Sequence, residues 1–575
     1  MKTFNKIFMT LGVSALCLGA TSCVDDLDLS PVNPNEITDV SKDINRVFSD
    51  IYLNFCTYGP NGTNILDPYD GGMGSFQRAL FTAECIPTDE ASWLWDPATY
   101  GTMNYGIVSP DTPSVYGFYS RLMINITLCN QFINSAQSGQ FEGVDQATID
   151  EYVRQARILR GACYFYMLSF YDKIPYADES TLVGQLPTQL PRAQVYELVT
   201  SDLEEVVAQY GANQVPHYGF VGLDAAESIL AKIYLNGEVF AGRADYDKCY
   251  AHCKNVINRL GKGGYYGNGL AKTYKTLFGA NNKKYVLGNE GSDVNEIIWS
   301  LVQDDPNLLS YSGATFLCIA WLGTTDGVSV TDDPSKVNYT APDGSTWNFK
   351  DPETANLAAA WYNCGDAWKC MVARKSFIQK FEWLDPEMSE SDDSRTDLFA
   401  TSKFGFTPEN VTLLGDNWGT NGYLAIKYSN WNYDDDGKLL PEQPQPKGQL
   451  GGDYAMIRLA EIYLTAAEAI LQGGGGSPAE AATYVNYIRE RAYGDKDHNF
   501  SSVNMQTLRD ERCRELYSES TRRTDLIRWN QWCTGYTWEW KGGVETGTNL
   551  REFTKLYPIP TDVMISSNFE QTTGY

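Results

Sequence analysis

The sequence predicts a mostly α-helical fold in which paired helices form a scaffold around a large, irregular, loop-rich region. Apolar residues recur at helical spacing in two separated blocks, about 150–263 and about 453–520. The stretch between them, about 264–452, breaks this period and is rich in Gly, Asn, Asp, Trp and Tyr. Long irregular segments on a rigid frame commonly carry function, so we expect a ligand site there and in the loop region 67–105.

Both blocks contain an alanine-rich helix followed by a short turn and a partner helix. This arrangement resembles tetratricopeptide helix pairs, in which small residues lie where two helices cross. The predicted helices are Glu151–Tyr171, Ala193–Tyr210, Asp224–Phe240 and Tyr246–Leu260 in the first block, and Tyr454–Leu471, Pro478–Ala492 and Met505–Ser518 in the second.

Residues 1–22 have the pattern of an export signal, with a basic start, an apolar run and small residues before Cys23. The apolar run is too short to span a bilayer. The segment resembles a bacterial lipoprotein signal, in which Cys23 would become the first residue and carry lipid. An ordinary secretory signal remains the alternative, because Ala20 replaces the usual leucine. We expect residues 23–45 to form a lipid-anchored tether and residues 46–575 to form a single domain.

Composition narrows the class of ligand. The formal net charge is -27, which repels phosphate backbones and excludes nucleic acid as a partner. Neutral ligands fit such a chain best. Aromatic residues make up 13% of the sequence, and their rings suit stacking on sugar faces, although many must be core.

Two short motifs raise the question of a metal. Cys249, His252 and Cys253 lie one helical turn apart but lack a second ligand pair, which argues against zinc. Asn432, Asp434 and Asp436 begin a calcium-loop pattern, but Gln443 stands at its twelfth position. A solvated hairpin turn is the favoured interpretation, with calcium as the alternative; we therefore expect no cofactor. Most cysteines are predicted to be small core residues.

Several motifs, in order along the chain, resemble the SusD/RagB family of outer-membrane nutrient-binding lipoproteins. They are the signal with Cys23, IPTDE at Ile86–Glu90, the run at Ala156–Leu168, RLAEIYLTAAEA at Arg458–Ala469, the arginine-rich run at Arg509–Trp529, and YPIP at Tyr557–Pro560. The resemblance implies the SusD-like fold, with four tetratricopeptide-like helix pairs. It also implies a cell-surface lipoprotein that captures oligosaccharides without catalysis and delivers them to a SusC-like, TonB-dependent outer-membrane transporter.

A narrower resemblance points to the starch-binding members of the family. By motif, Asp70 and Arg78 match a polar pair, and Trp95, Tyr311 and Trp368 match an aromatic arc on which an α-glucan stacks. A family asparagine is replaced by Ala98, so one hydrogen-bonding group is lost. Residues from about 329 to 366 look like an insertion, with Trp347, Trp361 and Tyr362, that would extend or cover the arc.

Alternatives stand beside these assignments. Trp95, Tyr311 and Trp368 could instead be core residues. Trp93 and Trp95 share one face if the chain is locally extended, and we favour Trp95 as the exposed one. Asp70 and Arg78 could simply pair with each other at the surface. The arginine-rich run favours a salt-bridged structural face. Other hypotheses are a different oligosaccharide on the same scaffold, a ligand-free assembly module and a glycoside hydrolase. A glycoside hydrolase would need two carboxylates beside the aromatic groove, and among 72 acidic residues such a pair carries no sequence signal. The chain also lacks a GxSxG, P-loop or HExxH motif, and the enzyme hypothesis is disfavoured.

Overall fold

The described part of the chain is built mainly from helices. The computed structural model describes residues 42–57, 72–94, 100, 102–181, 184–211, 216–292, 294–304, 307–321, 362–364, 368, 370–402, 408, 422–445 and 449–575, and the backbone of two further strands. Its fifteen α-helices are α1 Ile44–Cys56, α2 Phe76–Glu84, α3 Pro113–Gln137, α4 Gln146–Phe170, α5 Arg192–Tyr210, α6 Leu223–Leu235, α7 Gly237–Ala241, α8 Tyr246–Leu260, α9 Gly313–Trp321, α10 Lys375–Ile378, α11 Leu459–Leu471, α12 Pro478–Tyr493, α13 Met505–Leu516, α14 Arg522–Arg528 and α15 Thr561–Ser566.

The strands in the described part of the chain are short, and each sheet there has two strands. They are β1 Ala91–Trp93, β2 Lys173–Tyr176, β3 Thr188–Pro191, β4 Ile297–Leu301, β5 Asn338–Thr340, β6 Thr346–Asn348, β7 Met371–Ala373, β8 Phe399–Ala400, β9 Leu424–Ala425 and β10 Tyr454–Arg458. The antiparallel pairs are β1 with β7, β2 with β3, β4 with β10, β5 with β6, and β8 with β9.

The long helices pack side by side in a continuous series. Helix α3 packs on α4, α4 on α5, α5 on α6, α6 on α8, α8 on α11 and α11 on α12. Gly161 of α4 lets α5 approach closely, because a Cβ at this position would lie 2.8 Å from Cδ2 of Leu203. Small residues at helix crossings therefore have the role expected of them, and the predicted scaffold of helix pairs is confirmed.

Polar side chains cap the N-termini of several of these helices. Asp145 accepts a hydrogen bond from the backbone N–H of Thr148 at the start of α4. Asn504 accepts from the N–H of Thr507, whose side chain in turn accepts from the N–H of Asn504, at the start of α13. Such caps satisfy N–H groups that have no partner within the helix.

Three parts of the predicted organisation need correction. Tyr454–Arg458 was expected to begin a helix, but it is strand β10, paired with β4 from the irregular region. The region 67–105, expected to be a loop, contains helix α2 and strand β1. Helix α1 begins at Ile44, inside the range predicted as tether.

The described helices carry no membrane-spanning segment: none of them is both long enough and apolar enough to cross a bilayer. Cys23, residues 1–22 and nearly all of the predicted tether lie outside the described residues.

The two metal-like motifs have ordinary structural roles among the described residues. Cys249 and Cys253 are buried, and Nε2 of His252 lies 3.1 Å from Glu204. The segment around Asp434 forms the expected hairpin, bridged between Tyr433 and Leu439. Its neighbouring carboxylates bind lysines instead of converging: Asp435 with Lys284 at 2.8 Å, and Asp436 with Lys272. Within the part of the chain described, no group of three or more acidic, His or Cys side chains could hold a metal ion.

The arginine-rich run forms ion pairs, as expected, but they are buried. Arg512 pairs with Asp525, Arg522 with Asp89 and Arg528 with Glu468, each at 2.7 Å, and Arg514 pairs with Glu511 at 2.6 Å. Arg523 instead donates to backbone carbonyls, and Arg509 lies over the ring of Trp529. Because an unpaired buried charge is costly, this network strongly constrains how α11, α13 and α14 meet.

Candidate functional site

Three of the five predicted ligand residues meet at one place in the fold. Arg78 lies on α2, Tyr311 lies two residues before α9, and Trp368 lies three residues before β7. The guanidinium carbon of Arg78 is 5.6 Å from the ring centroid of Trp368, which is 6.2 Å from that of Tyr311. The other two predicted residues, Asp70 and Trp95, lie outside the described residues, as does Ala98.

Tyr311 and Trp368 form an aromatic pair. Their ring planes are inclined by only 27°, and both side chains are half-buried. A 6.2 Å separation between centroids is typical of offset stacking, which does not cover the rings completely. The pair therefore offers an aromatic platform that suits the apolar CH faces of a sugar ring.

Arg78 lies beneath this platform with 1% of its surface exposed. Its guanidinium carbon is 4.7 Å from the ring centroid of Phe316 and 5.8 Å from that of Trp93. A desolvated cation over an aromatic face contributes about 2 kcal/mol. Arg78 therefore lies beneath the ring of Trp368. The alternative that Asp70 simply pairs with Arg78 concerns a residue outside those described.

Backbone contacts hold the platform to the fold. The Gly313 N–H at the start of α9 donates to Oε1 of Gln77 on α2, at 2.9 Å. The Trp368 N–H donates to the carbonyl of Ile319 in α9, at 2.7 Å. Both aromatic residues are thus fixed to α9, and α9 is fixed to the helix that carries Arg78.

Gly72, two residues after Asp70, packs against the backbone of Tyr311 and the side chain of Arg78. A Cβ on Gly72 would lie 2.9 Å from the carbonyl oxygen of Tyr311 and 3.0 Å from Nη1 of Arg78. The first of these atoms belongs to the backbone and cannot move aside easily. Only glycine permits this close approach.

Trp93 anchors the strand that leads to Trp95. It is buried, and its backbone exchanges two 2.8 Å hydrogen bonds with the side chain of Asn104. The next residue, Leu94, donates its N–H to the carbonyl of Cys370 at 2.8 Å. The expectation that Trp93 is buried is confirmed.

The acidic pair of the IPTDE motif connects this strand to the C-terminal helices. Burial would raise the pKa of Asp89, but two 2.7 Å hydrogen bonds from Arg522 and its positive charge lower that pKa to about 2. Burial raises the pKa of Glu90 to about 7, and its carboxylate accepts from the N–H of Ser518. The backbone carbonyl of Glu90 accepts from the N–H of Arg374, which follows β7. The pair is therefore part of the frame of the site.

Two contacts of the site were not foreseen from the sequence. Phe316, whose ring lies against the guanidinium of Arg78, belongs to the same motif as Tyr311. Its place on the short apolar helix α9 indicates burial but does not indicate a contact with Arg78. Gly72 lies within the glycine-rich run before Arg78, where the close approach of another backbone leaves no mark in the sequence. Trp347 and Trp361 of the predicted insertion lie outside the residues whose side chains are described.

The fold and the site together define a class: a scaffold of paired helices that carries a half-buried aromatic platform on a long irregular segment. Comparison with known proteins identifies the family to which the chain is similar. The SusD family model matches residues 325–575. The starch-binding protein SusD of Bacteroides thetaiotaomicron is 28% identical, over 100% of this chain and 99% of that protein. A SusD-like protein of Bacteroides ovatus is 31% identical, over 77% of this chain and 71% of that protein.

Solved structures agree on the fold. A SusD superfamily protein from Parabacteroides distasonis superposes with a TM-score of 0.63 at 19% identity, covering 94% of this chain and all of that one (100%). Surface glycan-binding protein A from Bacteroides thetaiotaomicron, in complex with laminarihexaose, gives a TM-score of 0.61 at 17% identity, covering 92% of this chain and 98% of that one. The chain belongs to the SusD family.

Proposed function

We propose that this protein is a cell-surface lipoprotein that binds α-glucan, such as starch or maltooligosaccharide, on the platform of Tyr311 and Trp368. The observation that carries the proposal is the nearly parallel, half-buried pair of these rings above Arg78. The similarity over the whole chain to a starch-binding protein supports an α-glucan as the ligand. The net charge of -27 also favours a neutral polymer.

Asp70 and Trp95 complete the proposed site. Gly72 lies against Arg78 and Tyr311, so the chain that follows Asp70 adjoins the platform. Leu94 is hydrogen-bonded to Cys370, so the residue before Trp95 lies close to the strand that follows Trp368. In this proposal Trp95 extends the platform and Asp70 supplies polar groups at its edge, whereas Arg78, which is 1% exposed, supports the rings from beneath.

Weak binding suits delivery to a transporter. A platform that does not enclose its ligand should bind with roughly micromolar to millimolar affinity, because much of the sugar stays hydrated. We propose that lipid on Cys23 holds the protein at the outer membrane beside a SusC-like, TonB-dependent transporter, to which it passes the glycan without cleaving it. Membership of the SusD family supports this partner and this location.

Native gel electrophoresis in the presence of polysaccharide tests the proposal. We expect amylose and pullulan in the gel to retard the protein, and laminarin to leave its mobility unchanged. Unchanged mobility in amylose and pullulan would contradict α-glucan binding. Release of shorter products from maltooligosaccharides would instead indicate a glycoside hydrolase.

A second candidate is the same face binding a different oligosaccharide. It is favoured by the neighbour of the same fold that was solved with laminarihexaose, a ligand other than starch. Retardation by laminarin without retardation by amylose would support this alternative.

A further inference from the structure

Two cysteines of the irregular region lie unusually close together. Sγ of Cys318 on α9 is 2.8 Å from Sγ of Cys364, and both side chains are completely buried. Carbon atoms in favourable contact lie about 3.5–4.0 Å apart, and sulfur is larger than carbon. The two thiols are therefore closer than ordinary packing would place them.

The backbone around each cysteine is held by hydrogen bonds. Beside Cys318, the carbonyls of Ile319 and Ala320 accept from the N–H groups of Trp368 and Cys370, at 2.7 and 3.0 Å. Beside Cys364, the carbonyl of Tyr362 accepts from the N–H of Asn430 at 2.8 Å. A disulfide has an S–S length of about 2.05 Å, which is shorter than the 2.8 Å between the two Sγ atoms.

We propose that Cys318 and Cys364 form a disulfide in the exported protein. The bond would close the loop that contains residues 322–361 and tie it to α9, the helix that carries Phe316 under Arg78. It would thus brace the segment that leads into Trp368. This inference concerns covalent structure and does not rest on the proposed glycan ligand.

The chemistry is a two-electron oxidation by thiol–disulfide exchange. The thiolate of one cysteine attacks a sulfur of an oxidising disulfide, such as that of a disulfide-donating protein of the export compartment, and a mixed disulfide forms. The thiolate of the second cysteine then displaces the donor. The two cysteines lose two protons and two electrons, and the donor leaves as a dithiol.

The bond should form while the chain folds. Burial raises the pKa of the Cys318 thiol well above its usual value, so a folded, reduced protein holds almost no reactive thiolate at this position. Chain that folds in a reducing compartment should therefore keep both thiols. In exported proteins, oxidising conditions disfavour the state in which both thiols stay reduced.

Cys370 provides a matched internal control. It is also completely buried and lies in the same region, and its Sγ is 3.5 Å from the carbonyl oxygen of Ala320. Any general oxidation of buried thiols would modify Cys370 as well, whereas the proposed disulfide involves only Cys318 and Cys364.

Thiol trapping followed by mass spectrometry tests the proposal. The full chain is exported by the host cell, unfolded at lysis in the presence of N-ethylmaleimide, and digested without reduction. We expect the peptides of Cys318 and Cys364 to be joined, with a mass lower by two hydrogens, and Cys370 to carry the label. Alkylation of both Cys318 and Cys364 before any reduction would overturn the proposal.

Thermal unfolding gives a second, independent readout. A reductant should lower the melting temperature of the exported protein by several degrees, as expected when a loop of this length is opened. The same reductant should have no effect on Cys318→Ala/Cys364→Ala and the full effect on Cys370→Ser. An equal effect of the reductant on the double variant would contradict the bond. If the double variant does not fold, the mass measurement on the natural chain still decides.

Discussion

Trp368 connects the half-buried platform to the buried cation beneath it. The indole ring of Trp368 stacks on the ring of Tyr311. The guanidinium carbon of Arg78 lies 5.6 Å from the centroid of the same indole ring. Because the side chain is half-buried, its removal should affect ligand binding more than folding. The neighbouring ring of Phe316 still covers Arg78 in that case.

We therefore expect Trp368→Ala and Tyr311→Ala to abolish retardation in amylose gels with only a small fall in melting temperature, and Trp95→Ala to do the same. Tyr265→Ala is the matched control, since Tyr265 is 67% exposed and its ring contacts Tyr266 and Lys272, neither of which belongs to the platform. Loss of folding in Trp368→Ala would assign this residue to the core instead.

Glu90 makes stability depend on pH. Its pKa is about 7 in the folded protein and should return to about 4.5 when the chain unfolds. Between these values the folded state holds the proton and the unfolded state does not, so stability falls as pH rises from 4.5 to 7. Glu90→Gln removes this dependence and keeps an oxygen that accepts from the N–H of Ser518.

Denaturant unfolding of the natural chain and Glu90→Gln at pH 5 and pH 8 measures this effect. We expect the natural chain to lose up to about 3 kcal/mol of unfolding free energy relative to the variant across that range. Parallel pH profiles for the two proteins would show that Glu90 is ionised throughout.

At the scale of elements, the crossing of α4 and α5 depends on the absence of a side chain at Gly161. Gly161→Leu should lower the free energy of unfolding by about 1–3 kcal/mol, because the new side chain would overlap Leu203. In the double variant Gly161→Leu/Leu203→Ala, the added atoms fill space that Leu203 vacates. Denaturant unfolding should then show a loss smaller than the sum of the two single losses. Additive losses would mean that the helices do not meet at these residues.

The elements also show how far sequence reasoning extends. Helices such as α5 and α8 were predicted within a residue, because their apolar spacing and ends are local signals. Strand β10 was misassigned as helix because the first four residues of YAMIR are apolar and the segment is continuous with α11, and its partner β4 is distant in sequence. Likewise, motif matching indicated that Arg78, Tyr311 and Trp368 belong together, but the burial of Arg78 under three rings depends on non-local packing.

At the scale of the whole molecule, the proposed lipid anchor would determine where a weak binding site acts. If lipid on Cys23 holds the protein at the membrane, Cys23→Ala should leave it in the soluble fraction and abolish its labelling by radioactive palmitate. Folding and glycan binding should be unchanged, because residues 1–22 and Cys23 precede the described fold. Retained labelling in Cys23→Ala would place the lipid elsewhere.

The central claim is that the aromatic platform binds an α-glucan. It is tested most directly by calorimetric titration of the soluble chain beginning at Val24 against a panel of glycans, in parallel with Trp368→Ala. We predict binding of maltooligosaccharides at roughly micromolar to millimolar Kd, no heat with laminarihexaose, and loss of binding in the variant. Full binding of maltooligosaccharides by Trp368→Ala, or no binding of them by the natural chain, would contradict the claim.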